Sequence, residues 1–359
     1  MATDRRTFLK SLAALGALPI ATLARAEQPP AFIAARMEGG DAFSVAVLDV
    51  DGGVLFTEEL DARAHDIAVS PDRATAVVFA RRPGFFALAI DIAGRCRVAS
   101  FAPPEGRHFY GHGLFSADGR LLFATENDWQ GERGVLGIYD VAAGYRRIGE
   151  FDSGGIDPHE AMLMSDGRTI VVGNGGIVTH PDYDRMKLNL ATMEPSLAYV
   201  DAATGDVLER VVLPRSLHQL SIRHMTEAPD GSIWFGGQYE GAETDPVDLV
   251  GIHRRGGEAE LVAAPHKAYG GMRQYVGDMA VSRDGRRIAA SSPVGGRVMV
   301  FDAATRDLLA TRDVADVCAI TGDGGDFFAT DGRGRIWRGG TLLSQDPSVA
   351  WDNHVGRLV

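Results

Sequence analysis

The sequence predicts an all-β fold, a seven-bladed β-propeller, with six or eight blades as the alternatives. Three observations predict it. A short apolar strand that runs into a Ser/Pro-Asp-Gly turn recurs 39 to 64 residues apart, with turn aspartates at Asp72, Asp118, Asp166, Asp230, Asp284 and Asp323. In most units a second apolar strand then ends in Asp-x-x-x-Gly or a similar turn, as in Asp201 to Gly205. The chain also contains 44 glycines, which suits a fold with many tight turns.

Each turn signature has a physical cause. An aspartate can bond to the backbone two residues on, and glycine accepts positive φ, so both favour tight hairpins. Two hairpin turns per unit make four strands, which is the size of one propeller blade. A β-helix would need shorter repeats, and a sandwich would not repeat so regularly.

The first and last parts of the chain predict one split blade. Apolar stretches at 32–37, 43–53 and 54–60 lack a partner strand of their own, and another stretch lies at the C-terminus. We expect residues 27–359 to form a single propeller domain. Pairing of the C-terminal strand, 353–359, with the N-terminal blade would close the ring and remove an exposed sheet edge.

Residues 1–26 have the pattern of a twin-arginine signal peptide. Arg5-Arg6 is followed by Phe8-Leu9-Lys10, a short and mildly apolar run, and the cleavage-type sequence Ala24-Arg25-Ala26. This pattern predicts export to the periplasm through the twin-arginine pathway. No later segment is apolar enough to cross a bilayer, so we expect no membrane insertion after the signal is removed.

Charge and cysteine content limit the classes of partner and the covalent cross-links that we expect. The formal net charge is −12, and it becomes −15 without the four basic and one acidic residues of the signal, so nucleic acid is not an expected partner. Cys96 and Cys318 fall in non-adjacent predicted blades, and we expect free thiols. We expect a monomer.

Metal-ligating residue types recur where each inner strand enters the channel. Six residues before each turn aspartate lie Asp66, His112, Glu160, His224, Asp278 and Val317, and His354 fills the seventh place. Histidine and carboxylate together suit iron, copper, zinc or manganese. The sequence therefore predicts a metal site at the channel mouth, with the candidate ligands His112, Glu160, His224, His159, His65, Asp278 and His354. The alternative is that these polar groups only hold neighbouring loops by hydrogen bonds.

The connections near this face are long and polar. The longest spans 175–196, and long structured loops on a rigid scaffold often carry function. It could cap the channel, contact a partner or be a mere insertion. The candidate ligand- or partner-binding residues are His108, Glu126, His180, Arg185, Lys187, Asn189, His218, Arg223, Gln238 and Glu240. His253 and His266 lie in charged contexts and are predicted to be surface residues.

Beyond these patterns, the sequence resembles a known family. The leader and the strings at 108–128, 158–160, 174–196 and 220–224 resemble the bacterial family catalogued as domain of unknown function 1513. The resemblance implies a periplasmic propeller of the YVTN/WD40 type. Genes of that family often accompany imelysin-type and di-haem-peroxidase-like proteins, which implies a role in acquiring iron or another metal. The resemblance supplies no catalytic residues.

Three functions stay open on the sequence alone. The first is a non-catalytic periplasmic metal-binding protein, accessory to iron acquisition, with periplasmic iron-uptake proteins as partners. The second is a metal-dependent enzyme of lactonase, esterase or oxidase type that uses the same His/Glu cluster. The third is a metal-free interaction scaffold with no cofactor, because a propeller fold alone does not imply chemistry.

Overall fold

Seven four-stranded antiparallel sheets make up the protein, which confirms the prediction of a seven-bladed propeller. The structure, a computed structural model, describes residues 28–183 and 186–359. The predicted signal peptide, 1–26, and the candidate Arg185 lie outside the described residues. No helix in the described ranges is long and apolar enough to cross a membrane.

The blades follow one another along the chain. Blade I contains β1 (Phe32–Glu38), β2 (Ala42–Leu48), β3 (Val54–Leu60) and the C-terminal strand β28 (Val349–Arg357). Blade II contains β4 (Ala64–Val69), β5 (Thr75–Ala80), β6 (Ala87–Asp91) and β7 (Cys96–Phe101). Blade III contains β8 (Arg107–Phe115), β9 (Leu121–Asp128), β10 (Arg133–Asp140) and β11 (Arg146–Asp152). Blade IV contains β12 (Pro158–Leu163), β13 (Thr169–Asn174), β14 (Ser196–Asp201) and β15 (Val207–Val212).

The remaining blades repeat the pattern. Blade V contains β16 (Leu220–Glu227), β17 (Ile233–Tyr239), β18 (Val250–His253) and β19 (Glu260–Leu261). Blade VI contains β20 (Asp278–Val281), β21 (Arg287–Ser292), β22 (Arg297–Asp302) and β23 (Leu308–Asp313). Blade VII contains β24 (Val317–Asp323), β25 (Asp326–Asp331), β26 (Arg335–Arg338) and β27 (Thr341–Gln345). Within residues 28–183 and 186–359, the helices are a short α1 (His266–Gly270) and two 3₁₀ turns at Pro181–Tyr183 and Arg215–Leu217.

Blade I joins the two ends of the described chain. Strand β28 pairs antiparallel with β1, with Phe32 opposite Arg357 and Glu38 opposite Val349. It begins at Val349, four residues before the start expected from the sequence. Because β28 is the inner strand of this blade, it brings the C-terminal His354 to the axis beside strands that lie about 300 residues away in sequence.

The repeated turns hold their shape through side-chain bonds. In blade II the Ser70 hydroxyl donates to Asp72, and Asp72 accepts the backbone N–H of Ala74. The same arrangement recurs around Ser116 in blade III and Ser282 in blade VI. The Ser-x-Asp-Gly signature therefore encodes a hydrogen-bonded turn, and it fixes where each inner strand ends.

The core lies between neighbouring blades. Phe32 of blade I stacks on Phe328 of blade VII at 3.8 Å between ring centroids, and Trp234 of blade V packs on Phe301 of blade VI at 5.8 Å. Central strands such as β13 are buried along their whole length, whereas outer strands such as β15 alternate towards solvent. Cys96 and Cys318 are free, as expected. The packed ring provides a rigid frame for the inner strands.

Candidate metal centre

Five histidines from five different blades meet on the axis of the ring. They are His65, His112, His159, His224 and His354, supplied by β4, β8, β12, β16 and β28. Their ring centroids lie 4.7 to 6.5 Å apart in nine of the ten possible pairs. His112, His224 and His354 are 1%, 0% and 5% exposed, so they lie inside the channel and not at an open mouth.

Bulges in the inner strands explain how so many polar groups reach one place. The register between inner and second strand shifts at residues 64–67, 109–113, 158–160 and 222–224, and again where β28 passes the histidine at 354. Successive residues of a regular strand point to opposite faces, but a bulge turns neighbouring side chains to the same side. Pairs such as His65–Asp66 and His159–Glu160 therefore both contribute to the axis.

Gly111 allows two of the histidines to approach. It has a φ of 110°, and a Cβ at this position would lie 2.8 Å from Cδ2 of His65. A side chain here would be strained by the backbone and would push His65 away from His112. Close packing of His65 therefore explains why a glycine precedes His112.

Three of the histidines each face a carboxylate through Nδ1. His112 Nδ1 hydrogen-bonds to Asp66 Oδ2 at 3.1 Å. His224 Nδ1 lies 3.3 Å from Glu160 Oε2, without the alignment of a hydrogen bond, and His354 Nδ1 lies 3.3 Å from Asp278 Oδ1. A carboxylate that accepts from Nδ1 fixes the imidazole tautomer that leaves a lone pair on Nε2, as in carboxylate–histidine–metal arrangements.

In each of these histidine–carboxylate pairs, Nε2 is the ring nitrogen that does not face the carboxylate. Nε2 of His112, His224 and His354 is buried and has no hydrogen-bond partner in the described parts of the chain. The three residues form a group whose ligand atoms lie within 4.8 Å of one another. Ligation at about 2.1 Å with tetrahedral angles would require this spacing to shorten by up to about 1.4 Å, within the reach of small side-chain rotations. We call His112, His224 and His354 the tris-histidine set.

A second group of ligand atoms joins His65, His112 and His159. Here the chemistry is less suited to a metal, because Arg223 Nη1 donates to His159 Nδ1 at 3.0 Å. A guanidinium only donates, so Nδ1 carries the lone pair and Nε2 carries the proton. Neutral His159 therefore presents an N–H group, not a ligand nitrogen.

The electrostatics of the centre favour a cation. Burial lowers the pKa of His354, but Asp278, Asp66 and Glu160 outweigh burial and raise it to about 9. Burial and then the neighbouring carboxylates of Asp66 and Asp278 raise the pKa of Glu160 well above its usual value, against the effect of His354. Burial also raises the pKa of Asp278. The three carboxylates that keep a proton on His354 therefore make the centre a place in which positive charge is stabilised.

Two openings of opposite charge flank the histidines. One, of about 240 Å³, is lined by Asp66, Glu160 and Asp278 and by inner-strand residues towards the turns, such as Thr321; we call it the acidic opening. The other, of about 250 Å³, is lined by His65, His159 and four basic residues, Arg81, Arg82, Lys187 and Arg223; we call it the cationic cavity. The acidic residues follow the histidines along the inner strands, whereas Arg223 precedes His224. Arg81 and Arg82 follow β5, whose end pairs with the start of the inner strand β4. The two openings therefore lie on opposite sides of the centre.

The structure brings all seven predicted metal ligands to the axis but gives them different positions. His112, His224 and His354 form the converging set, and His65 and His159 lie between this set and the cationic cavity. Glu160 and Asp278 contact histidine Nδ1 atoms and backbone N–H groups, so in this geometry they orient the imidazole rings. Val317, the one apolar residue of the predicted ring, is buried.

Two of the predicted ligand- or partner-binding residues, His108 and Glu126, make structural contacts within blade III. His108 Nδ1 bonds to the Phe109 carbonyl, and its Nε2 accepts from Asn127. Glu126 is fully buried and binds Arg107, Arg147 and the Tyr139 hydroxyl, which places it in an ion cluster within blade III. Neither residue belongs to the axial centre, because its polar atoms are already used within blade III or by its neighbours.

The other candidates divide between the cavity and the long loop. Lys187, Arg223 and Gln238 line the cationic cavity, and Glu240 pairs with Lys187 at its edge. Asn189 holds the long loop together by bonds to Val178 and Gly176. His180 accepts from the Asp182 N–H, and His218 donates to the Arg215 carbonyl.

The surface prediction for His253 is wrong, whereas His266 is exposed as predicted. His253 is buried and hydrogen-bonds to the Tyr199 hydroxyl and the Gly257 carbonyl. It lies in β18, a strand too short for its alternation of apolar and polar residues to show which face is covered. Sequence reasoning also missed Arg81 and Arg82, which follow the end of β5; adjacent arginines after a buried strand were the available signal.

Together, the fold and the site define a class of protein: a seven-bladed β-propeller with a buried histidine centre between an acidic and a cationic opening. The chain belongs to the family described as "Protein of unknown function (DUF1513)", whose sequence profile matches residues 49–358. This match confirms the resemblance seen in the sequence.

Other comparisons bear on the fold alone. No curated protein matches significantly. Among solved structures, Kuenenia stuttgartiensis hydrazine synthase is similar with a TM-score of 0.62 at 17% identity, over 88% of this chain and 96% of that chain. At this identity the likeness supports the propeller architecture and carries no activity over.

Proposed function

We propose that the protein binds one first-row transition metal ion on its axis, between the Nε2 atoms of His112, His224 and His354. The observation that carries the proposal is the convergence of three buried imidazoles with partnerless Nε2 atoms, each backed by a carboxylate at Nδ1. Burying this many polar groups without partners is costly, and an ion at the centre would relieve that cost.

The ligand set narrows the choice of ion. Imidazole nitrogens suit zinc, copper and iron, whereas manganese prefers oxygen ligands. We therefore propose zinc, copper or iron, with manganese the least suited of the four metals expected from the sequence. Carboxylates that orient the ligands and do not bind the ion directly are consistent with this choice.

The proposed biological role is that of a periplasmic metal-binding protein, accessory to iron acquisition and meeting periplasmic iron-uptake proteins. The twin-arginine pattern of residues 1–26 supports this role. So does the family resemblance, which implies imelysin-type and di-haem-peroxidase-like proteins as gene neighbours. The acidic opening supports it too, since carboxylates at the entrance would attract a cation towards the tris-histidine set.

A metal-dependent enzyme is the second candidate, and one observation favours it. Three protein ligands leave a coordination position open, and the cationic cavity adjoins the histidine cluster. Catalytic metal sites have this arrangement, whereas purely structural ones are closed by four ligands. Lactones, esters and thiols are the substrates to screen with the metal-loaded protein.

Elemental analysis of protein purified from the periplasm tests the proposal. We expect about one metal ion per chain in the wild type, in line with a single three-ligand site, and a sharp fall in a His112→Ala/His354→Ala variant. His266→Ala is the matched control, because it removes an exposed histidine outside the axis. Circular dichroism checks that the double variant is folded. Equal metal content in a folded double variant and the wild type would overturn the proposal.

A further inference from the structure

The proposed metal site does not explain why so many basic residues line the cationic cavity. Arg81, Arg82, Lys187 and Arg223 line it together with His65 and His159. They come from the long loop and from blades II, IV and V, so the ring gathers them from separate parts of the chain. Like charges are brought together here, in a protein whose formal net charge is −12.

Their carboxylate partners do not balance these charges. Arg82 and Arg223 share Asp157, at 3.5 and 3.9 Å. Lys187 and Arg223 share Glu240, and Arg81 shares Asp352 with Arg63. Within ion-pair distance, five basic groups therefore meet three carboxylates, which leaves an excess of two positive charges. Several of these contacts exceed the usual length of about 2.7–2.9 Å for a charged hydrogen bond, so donor capacity remains.

Two residues that line the cavity, Arg223 and His159, also carry buried donors. Arg223 is 4% exposed, and its Nε has no hydrogen-bond partner within residues 28–183 and 186–359. His159 is held by Arg223 in the tautomer that carries a proton on Nε2. A buried donor without an acceptor is destabilising, and an anionic acceptor would satisfy it.

We propose that the cationic cavity binds a small oxyanion with two or more negative charges, of the phosphate or polycarboxylate class. Guanidinium groups match the paired oxygens of both classes. The cavity, of about 250 Å³, has room for an ion of this size.

The anion would lie close to the metal centre without sharing its ligands. His65 and His159 line the cavity, and their rings contact His112 at 4.7 and 5.1 Å between centroids. One layer of imidazole thus separates the two sites. The anion site rests on the arginines and Lys187, so it stands whether or not the tris-histidine set binds a metal.

Calorimetric titration of the exported protein, freed of metal with a chelator, tests the inference. Phosphate and citrate are titrated separately at constant ionic strength, with chloride as the reference anion. We expect saturable binding of at least one, and a rise in Kd of about tenfold on loss of one charge-assisted partner in Arg82→Gln or Arg81→Gln. Saturation by phosphate alone or by citrate alone identifies the class.

Two controls make the outcome decisive. Arg254→Gln removes an exposed arginine of blade V, and it should bind like the wild type. The His112→Ala/His354→Ala variant should keep anion binding, which separates a failure of the metal proposal from a failure of this one. If neither phosphate nor citrate saturates the wild type, or if folded Arg81→Gln and Arg82→Gln bind as the wild type does, the inference is wrong.

Discussion

Asp66 offers the cleanest test of how the carboxylates support the tris-histidine set. Its Oδ2 accepts from His112 Nδ1 at 3.1 Å, and His112 is 1% exposed, so little water is available to replace that bond. Glu160 and Asp278 also accept backbone N–H groups of neighbouring strands, so their loss would affect folding as well. For this reason Asp66 is the better position to change.

The expected size of the effect follows from the contact. Removing an orienting partner of a metal ligand usually weakens affinity by about 10- to 100-fold, or about 1.4 to 2.7 kcal/mol. Asp66→Asn keeps an acceptor for the His112 N–H but loses the charge, so we expect about tenfold. Asp66→Ala leaves a buried N–H without a partner, so we expect a loss closer to about 100-fold.

Competition with a chromophoric chelator measures this affinity directly, with zinc as the probe ion. Asp313→Asn is the matched control, because this aspartate is 77% exposed on the outer strand of blade VI. Zinc affinities equal to that of the wild type in both folded Asp66 variants would refute the reasoning that the carboxylate orients a metal ligand.

Two further predictions concern packing and pH. Gly111→Ala should lower the free energy of unfolding by about 1–3 kcal/mol and weaken zinc binding. The reason is that the new Cβ would lie 2.8 Å from Cδ2 of His65, on a backbone whose φ is 110°. An unchanged denaturant midpoint would contradict this prediction. For Glu150, burial raises the pKa but Arg107, Arg147 and Arg133 outweigh it and lower the pKa to about 2. The contribution of Glu150 to stability is therefore fully present above its unfolded pKa of about 4.3 and is lost as pH falls through about 2. Glu150→Gln should thus cost about 1 kcal/mol at pH 7 and almost nothing below about pH 2. A cost independent of pH would count against the ion cluster.

The repeat in the sequence was enough to predict the blades, because each Ser-x-Asp-Gly turn is a local hydrogen-bonded structure. Alignment on the turn aspartate also selected His112, His224 and Asp278, since each lies six residues before its turn aspartate and therefore at a similar level of the axis. The sequence alone could not separate ligands from the groups that orient them. That distinction depends on bulges, which turn two consecutive residues, such as His65 and Asp66, to the same side.

Other errors have related causes. Glu126 and His108 have the residue types of a functional site, but their side-chain partners within blade III lie 13 to 21 positions away, which no local pattern reveals. Arg81 and Arg82 reach the cationic cavity because β5 runs antiparallel to the inner strand β4 and ends beside its start. Charge balance across blades becomes visible only once the fold is known.

Anomalous scattering from crystals of the metal-loaded protein, recorded at the absorption edge of the ion, tests the central claim most directly. A single peak within about 2.3 Å of the Nε2 atoms of His112, His224 and His354 is the predicted result. A peak among the carboxylates of the acidic opening, or at His159 and Arg223, would contradict it.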